Sequence, residues 1–307
     1  MKLTIDRFKQ AEEFIEEHAR ELEKTYFRFL FKKGSEHDVL NELENFQNQD
    51  GGFGHGIEPD FFLPDSSVMA TTVAFQYFSK LKVTSQEPLV QHGINYLLLQ
   101  YKDKEKRWPS VPPEVNQYPH APWWHFNEEG NGNDVEQFWG NPSAEVISYL
   151  YEYEKLVAKE FLVERINDAL ERIANTKHIE FHEAMCYLRL ADVLEEEKAK
   201  RIFSKIGEHL HEIIDWDEES WKGYGCQPYH LIDSKVSPYY EENKEKVDKS
   251  LDFLIQSQHK DGYWEPNWSR EFEGDDQAWK KAKTEWRGIL TIGQLDLLNR
   301  FGRIDKN

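Results

Sequence analysis

Apolar residues recur at helical spacing along most of the chain. Stretches in which they return every three or four positions are typical of amphipathic helices of ordinary length. The clearest are Phe8–Phe31, Asp38–Phe46, Ser67–Lys80, Leu89–Gln100, Ala144–Leu156, Glu160–Ala174, His182–Leu194, Lys198–Ile214, Lys246–Ser257 and Glu285–Phe301. Sustained alternation of apolar and polar residues, the mark of a strand, is scarce. The sequence therefore predicts an all-α protein.

The connections between the predicted helices are of two kinds. Short ones, at Val83–Pro88 and Val157–Lys159, suit antiparallel helix hairpins. The long ones are rich in Gly, Pro and Trp and span Asp50–Asp65, Tyr101–Asn141, Asp215–Pro238 and Asp261–Lys283. Loops of that length inside a compact domain are usually functional. Hairpins packed around an axis would gather them at one end. No linker or composition break divides the chain, so we expect a single domain over residues 1–307.

A seven-residue pattern occurs twice, each time after an apolar helix. Residues 47–53 read QNQDGGF and residues 258–264 read QHKDGYW. In both, Gln is followed four positions later by Gly, and the pattern ends in a large aromatic residue. The Gly suits the left-handed position that ends a helix, and a Gln amide can bond carbonyls left open there. We therefore expect Gln47 and Gln258 to lie at equivalent places, each bonded near a helix end.

The same pattern resembles the QW repeat of the terpenoid cyclase and protein prenyltransferase superfamily. The match is good at 254–264, fair at 43–53 with Phe in place of Trp, and poor at 97–108, which keeps Gln100 and Trp108 but lacks the Gly. Members of this superfamily form α/α toroids, with inner and outer helices alternating around a central cavity. The resemblance implies a small toroid of about five to six helical hairpins. It says little about chemistry, because one fold hosts many activities.

Charge and composition limit the partners. The chain has 38 basic and 57 acidic residues and a formal charge of −19, which repels nucleic acid and acidic membranes. No apolar run is long enough to span a bilayer, and the N-terminus has no secretory apolar segment. Cys186 and Cys226 are too few for a disulfide framework. We expect a reduced, cytoplasmic protein that binds a small apolar molecule. The oligomeric state has no sequence signature here.

The glycine-rich stretch 51–56 could suggest a nucleotide site. Its Gly52-x-Gly54-x-Gly56 spacing is not the dinucleotide fingerprint, and no Lys follows as in a phosphate-binding loop. We therefore expect no cofactor.

Three polar residues of the same loop could carry chemistry. His55, Glu58 and Asp60 are of the types that bind metals or act as acids and bases. The alternative is a polar loop that caps the helix over 66–80, with Asp65 as the N-cap. We expect no metal, and a substrate-binding role at the mouth of the cavity.

The stretch HAPWWHFN, residues 120–127, places Trp123, Trp124 and His125 in a loop bounded by Pro. Aromatic residues make up 14% of the chain, and many fall in the long loops. These side chains could stack on a sugar, steady a carbocation or cover the core. With Trp264 of the repeated turn, we expect them to form an aromatic wall for a substrate, and to meet His55, Glu58 and Asp60 at one cavity mouth.

Residues 270–279, REFEGDDQAW, resemble the Asp-x-Asp-Asp-Thr-Ala acid motif of class II terpene cyclases. The resemblance implies that Asp275 is a catalytic acid with Asp276 and Glu273 beside it. In that chemistry clustered carboxyls raise one another's pKa and keep a proton available. A solvated acidic loop is the alternative. Arg287 could pair with Asp275 or Asp276, or bind an anionic substrate.

Two further groups could hold a metal. Zinc prenyltransferases use Asp, Cys and His, and Cys226 with His230 could supply two such ligands. His178 and His182 lie four positions apart on a predicted helix. We do not expect a metal at either place.

Three functional classes follow. The first is an isoprenoid- or lipid-handling protein, with acid-initiated cyclisation in an aromatic-lined central cavity. The second is a carbohydrate-active hydrolase or lyase on an α/α barrel. The third is a small-molecule-binding protein without catalysis.

Overall fold

A computed structural model describes residues 1–127, 138–268 and 276–305. The protein is all-α, and the described ranges contain isolated β-bridges but no strand. The helices are α1 (Ile5–His18), α2 (Glu21–Phe31), α3 (Glu36–Glu44), α4 (Val68–Leu81), α5 (Pro88–Gln100), α6 (Gly140–Glu152), α7 (Lys159–Asn175), α8 (Phe181–Val193), α9 (Glu196–Ile213), α10 (Pro228–Leu231), α11 (Tyr240–Gln256) and α12 (Asp276–Arg300). None of these described helices is long and apolar enough to cross a membrane.

Contacts divide the chain into two compact units. The central unit comprises Glu44–Ile213, and the terminal unit comprises Met1–Leu43 with the described residues from Ile214 onward. Each has its own apolar core: Phe53, Phe75 and Leu150 are fully buried in the central unit. A single toroid over residues 1–307 stays a prediction.

The helices of the central unit pack as hairpins. α4 packs on α5, α6 on α7 and α8 on α9, while α4, α6 and α8 pack side by side as one row. The short connections predicted at Val83–Pro88 and Val157–Lys159 join the two helices of a hairpin. An inner row with outer partners is how a toroid is built, and closure of the ring stays a prediction.

A buried carboxylate links the three helices of this row. Glu145 on α6 is 3% exposed, and its Oε1 accepts hydrogen bonds from Gln76 Nε2 at 2.9 Å and from the Tyr149 hydroxyl at 2.6 Å. Its Oε2 accepts from Arg189 Nη1 at 3.2 Å and from the Cys186 thiol at 3.4 Å. Burial, together with this carboxylate, raises the pKa of the Cys186 thiol well above its usual range. Four donors from three helices satisfy the charge, so it braces the row.

The terminal unit begins with two helices rather than one. The predicted helix over Phe8–Phe31 is wrong, because α1 ends at His18, α2 begins at Glu21, and Ala19 and Arg20 are extended. Both helices pack on α12. No Gly or Pro marks this two-residue link, and the apolar spacing runs through it, so the pattern hid the break.

Other helix bounds also differ from the sequence prediction. α11 begins at Tyr240 rather than Lys246, and α12 begins at Asp276 rather than Glu285. Both early turns are rich in charged residues, which carry no apolar period. α10 lies within the predicted loop Asp215–Pro238.

Candidate functional site

The repeated turn of the central unit is tied to the start of α5. Gln47 Nε2 donates to the carbonyl oxygens of Gly51 at 3.0 Å and Leu89 at 2.9 Å. Gly51 has a φ of +89°, and a Cβ there would lie 2.5 Å from the carbonyl oxygen of His92. Only Gly combines that backbone conformation with that close approach.

The turn of the terminal unit repeats this arrangement between α11 and α1. Gln258 Nε2 donates to the carbonyl oxygens of Gly262 at 2.8 Å and Arg7 at 3.1 Å. Gly262 has a φ of +94°, and a Cβ there would clash with the carbonyl oxygen of Gln10. Gln47 and Gln258 thus occupy equivalent places and bond near helix ends, as expected.

The aromatic residue of each turn is fixed through its backbone. The N–H of Phe53 donates to Thr71 Oγ1 on α4 at 3.0 Å, and the N–H of Trp264 donates to Thr291 Oγ1 on α12 at 3.1 Å. Trp264 also donates its indole N–H to the carbonyl of Leu254 at 2.8 Å and is 4% exposed. Each turn is therefore pinned to the helix that follows it.

The degraded third copy makes the contacts of the aromatic residue. Trp108 donates its indole N–H to the carbonyl of Leu97 at 2.6 Å, and its backbone N–H to Ser143 Oγ on α6 at 3.1 Å. Lys106, with a φ of +52°, adopts the left-handed conformation in this copy. The third copy thus retains the hydrogen bonds of its aromatic residue although its sequence departs from the pattern.

A chain of hydrogen bonds leaves the central turn and involves His55. Asn48 Nδ2 donates to the carbonyl of Pro64 and to Ser66 Oγ at 3.1 Å, so Asn48 Oδ1 must accept from His55 Nε2 at 2.9 Å. The hydroxyl of Ser66 in turn donates to Asp50 Oδ1 at 2.7 Å. Every bond of this chain points from His55 towards Asp50. His55 therefore carries its proton on Nε2 and is exposed, with a φ of +55°.

An open recess of about 640 Å³ lies beside this chain. It is lined by Asn48, Gln49, Asp50, Asp65, Ser66, Pro112 and Glu114. Two amides, a hydroxyl and three carboxyl groups make the lining polar and acidic. The predicted cap by Asp65 is wrong, because Ser67 Oγ accepts from the N–H of Ala70 at 3.0 Å and Asp65 faces the recess.

The segment that holds the predicted residues Glu58 and Asp60 bonds the loop over 118–125 in the central unit. The carbonyl of Asp60 accepts from the N–H of Ala121 at 2.7 Å, and the N–H of Phe62 donates to the carbonyl of Pro119 at 2.9 Å. Glu58 Oε1 accepts from the backbone N–H of Asp60 at 3.3 Å, and Asp60 is 5% exposed. These bonds bring together two loops that are far apart in sequence.

The aromatic residues of that loop differ in exposure. Trp124 is 7% exposed and packs edge-on against Phe61, with ring centres 5.3 Å apart. Trp123 is half-buried and His125 is exposed. Trp124 is thus part of the core, while Trp123 and His125 can be reached by a ligand.

Two histidines of this loop contact each other. His120 is 8% exposed, and its Nε2 lies 3.1 Å from Nδ1 of His125. Nδ1 of His120 lies 2.7 Å from the carbonyl oxygen of Tyr118. The two rings stack with their centres 5.3 Å apart. A short 3₁₀ turn at Pro122–Trp124 bends the chain enough to bring them together.

The predicted acid motif lies largely outside the described residues. Asp275 and Glu273 fall outside them, and Asp276 is the first residue of α12. Arg287 donates to both carboxyl oxygens of Glu265, at 2.8 and 3.1 Å, and lies over the Tyr263 ring. The Arg287 guanidinium is therefore paired with Glu265. Its suggested pairing with Asp275 or Asp276 concerns side chains outside the described residues.

Another carboxyl group of the terminal unit, that of Glu285, lies where its protonated form is favoured. Burial raises the pKa of the Glu285 carboxyl, and the cations Arg20 and Lys281 only partly offset that effect. Arg20 donates to both carboxyl oxygens of Glu23 at 2.7 and 2.8 Å, and its Nη1 lies 3.9 Å from Glu285. The guanidinium is therefore committed mainly to Glu23.

Two of the other candidate metal ligands, His230 and His182, have protein partners. His230 Nδ1 accepts from the backbone N–H of Gln227, and His182 Nδ1 lies 2.8 Å from Glu180 Oε1. Cys226 is 2% exposed. Within the described residues, no group of three or more His, Cys, Asp or Glu side chains is placed to hold a metal ion.

Several residues of this site were not predicted from the sequence. Asn48, Ser66 and His120 matter only because loops bring them together, and no spacing rule marks them. The signal available for Asn48 was its place in the repeated turn.

Comparison with known proteins identifies no family for this chain. No family model matches the sequence, and no curated protein matches it at a significant level.

Proposed function

We propose that the chain is a small member of the terpenoid cyclase and prenyltransferase α/α-toroid superfamily whose central unit binds a small hydroxylated molecule of the carbohydrate class. The lining of the recess beside the repeated turn carries the binding proposal. Its amides, hydroxyl and carboxyl groups are the partners that sugar hydroxyls require. An apolar isoprenoid would displace water from those groups and offer no hydrogen bond in exchange.

The charge of the recess further limits the classes of ligand that can bind there. Asp50, Asp65 and Glu114 line it, and the chain as a whole carries a formal charge of −19. Anionic ligands such as diphosphates are repelled. A neutral sugar or an amino sugar is the ligand class that this lining favours.

The superfamily assignment is supported by the three equivalent turns. In each, a backbone N–H is pinned by a hydroxyl of the following helix, at Thr71, Ser143 or Thr291. In two of the three, a Gln amide ties the turn to a further helix, α5 or α1. The cytoplasmic location is part of the same proposal and is supported by the two buried cysteines, which form no disulfide within the described residues.

Isoprenoid handling with acid-initiated cyclisation is the second candidate. It is favoured by Glu285, since that reaction requires a carboxyl group that keeps its proton and burial raises the pKa of this one. The acid implied by the resemblance, Asp275, stays a prediction.

Calorimetric titration tests the first candidate. The ligands are neutral and amino mono- and disaccharides, with farnesyl diphosphate and squalene for comparison. We expect binding of a saccharide, weakened about tenfold or more by Asp50→Asn because a hydrogen bond to a charged group contributes about 1.5–3 kcal/mol. Asp261→Asn is the matched control, since Asp261 holds the same position in the terminal turn. Binding of the isoprenoid ligands alone would contradict the proposal.

A further inference from the structure

The two stacked histidines of the central unit have a proton arrangement that their contacts determine. A carbonyl oxygen can only accept a hydrogen bond, so Nδ1 of His120 carries a proton donated to Tyr118. The Nε2 of a neutral His120 is then an acceptor. It must receive the Nδ1–H of His125, 3.1 Å away. A neutral His125 therefore has its unprotonated nitrogen at Nε2.

That nitrogen belongs to an exposed ring. His125 is exposed, and within the described residues its Nε2 has no protein partner. His120, in contrast, is 8% exposed and has both ring nitrogens engaged. The buried ring thus orients the exposed ring and fixes its tautomer, as the orienting group of a catalytic base does.

We propose that His120 and His125 form a proton-accepting pair in which Nε2 of His125 takes a proton from a hydroxyl group of a bound ligand. The O–H bond breaks, an N–H bond forms at Nε2, and the electron pair stays on the ligand oxygen. His125 is the proton acceptor and His120 is a positioning residue.

The contact also lets the charge move inward. After Nε2 of His125 is protonated, its Nδ1 proton can pass to Nε2 of His120, whose Nδ1–H remains bonded to Tyr118. In either arrangement the added proton stays on Nε2 of His125.

The ligand class rests on the proposed function, whereas the tautomer does not. Long-range ¹H–¹⁵N correlation spectra of the histidine-labelled protein at alkaline pH, where both rings are neutral, measure the tautomer directly. His125→Gln assigns the signal of His125. We expect the Nδ1–H tautomer at His125, although an unconstrained neutral side chain favours Nε2–H. An Nε2–H tautomer at His125 in the wild-type protein overturns the proposal, whether or not any saccharide binds.

Two variants separate positioning from simple packing. In His120→Gln the side-chain carbonyl can still accept from Nδ1–H of His125, so the tautomer should be kept. In His120→Leu the acceptor is gone, and the Nδ1–H signal of His125 should be lost. Retention of that signal in His120→Leu overturns the role of His120. The wild-type spectrum decides the tautomer even if the Leu variant does not fold.

Saccharide titrations of the same samples tell the two proposals apart. If the tautomer is as expected and no saccharide binds, the proton-accepting pair stands and the proposed function fails. If a saccharide binds and the tautomer is Nε2–H, the reverse holds.

Discussion

The turn at 47–53 in the central unit and the turn at 258–264 in the terminal unit share a framework but differ in what surrounds it. In both, a Gln amide bridges two carbonyls, a Gly has a positive φ, and a Thr hydroxyl accepts the backbone N–H of the aromatic residue. The features that the two turns share are the ones that contact neighbouring helices. They require the same atoms in both places.

The differences lie on the outer side of each turn. In the central turn, Asn48 and Asp50 take part in the chain that links His55 and Ser66 beside an open recess. In the terminal turn, the corresponding His259 stacks on Tyr263, with ring centres 4.4 Å apart, and pairs with Asp261. The residues outside the shared framework therefore differ in role. In the central turn they belong to a polar site, and in the terminal turn they contact other residues of the same turn.

The largest expected effect comes from the glycines of the shared framework. Gly51→Ala and Gly262→Ala place a Cβ against a backbone carbonyl at a positive φ, so each should lower the free energy of unfolding by about 2–4 kcal/mol. Urea unfolding curves of each variant measure this change in the free energy of unfolding.

Gly293→Ala is the matched control. Gly293 lies within α12 with open space around it, so this change should stabilise the protein by about 0.5–1 kcal/mol. A small cost at one framework Gly and a large cost at the other would break the equivalence of the two turns.

The next effect concerns the hydroxyls that pin the turns. Thr71→Val and Thr291→Val keep the side-chain shape but leave the N–H of Phe53 or Trp264 buried without an acceptor, which should cost about 1–3 kcal/mol each. The cost is read from urea unfolding curves. Thr84→Val, at an exposed position, should change stability by less than about 0.5 kcal/mol. Unequal costs at Thr71 and Thr291 would mean that one pin matters less.

The smallest effect depends on pH and belongs to the terminal turn alone. Burial favours a higher pKa for Glu265, but hydrogen bonds from Arg287 and Lys283 outweigh it and lower the pKa. A lowered folded-state pKa adds stability at neutral pH, and that stability is lost as the pH falls through the folded-state pKa. Glu265→Gln should therefore cost less than about 1 kcal/mol at pH 7, because the pair is partly exposed.

Unfolding free energies of the wild type and Glu265→Gln, compared between neutral and acidic pH, test this. The difference between the two proteins should vanish in acid. Gly54 follows the aromatic residue in the central turn, so no such dependence arises there. A difference that grows in acid would show that the Arg287 pair does not stabilise the fold.

Sequence reasoning reached the parts of the structure that depend on local periodicity. The spacing of apolar residues predicted most helices, and Gln, Gly and an aromatic residue at fixed spacing predicted the equivalent turns. It missed the link at Ala19 and Arg20, because two extended residues leave the apolar period intact. It also placed Trp124 at a cavity wall, without knowing that Phe61 covers it.

The polar site was less predictable for a different reason. His55 and His125 were singled out by residue type, but the groups that set their protons were not. Asn48 and His120 acquire those roles through hydrogen bonds whose geometry depends on how whole loops fold. The buried Glu145 was missed likewise, since its four donors come from three helices.

The bond between Gln258 and Arg7 joins residues 251 positions apart. During synthesis on the ribosome, Glu44–Ile213 leaves the exit tunnel before the later residues of the terminal unit do, so the central unit can fold first. α1 and α2 pack on α12, so they lack this partner until α12 leaves the exit tunnel. Closing so long a loop costs entropy that is recovered only at the end. The faces of α1 and α2 that pack on α12 therefore stay without this partner for most of the synthesis of the chain.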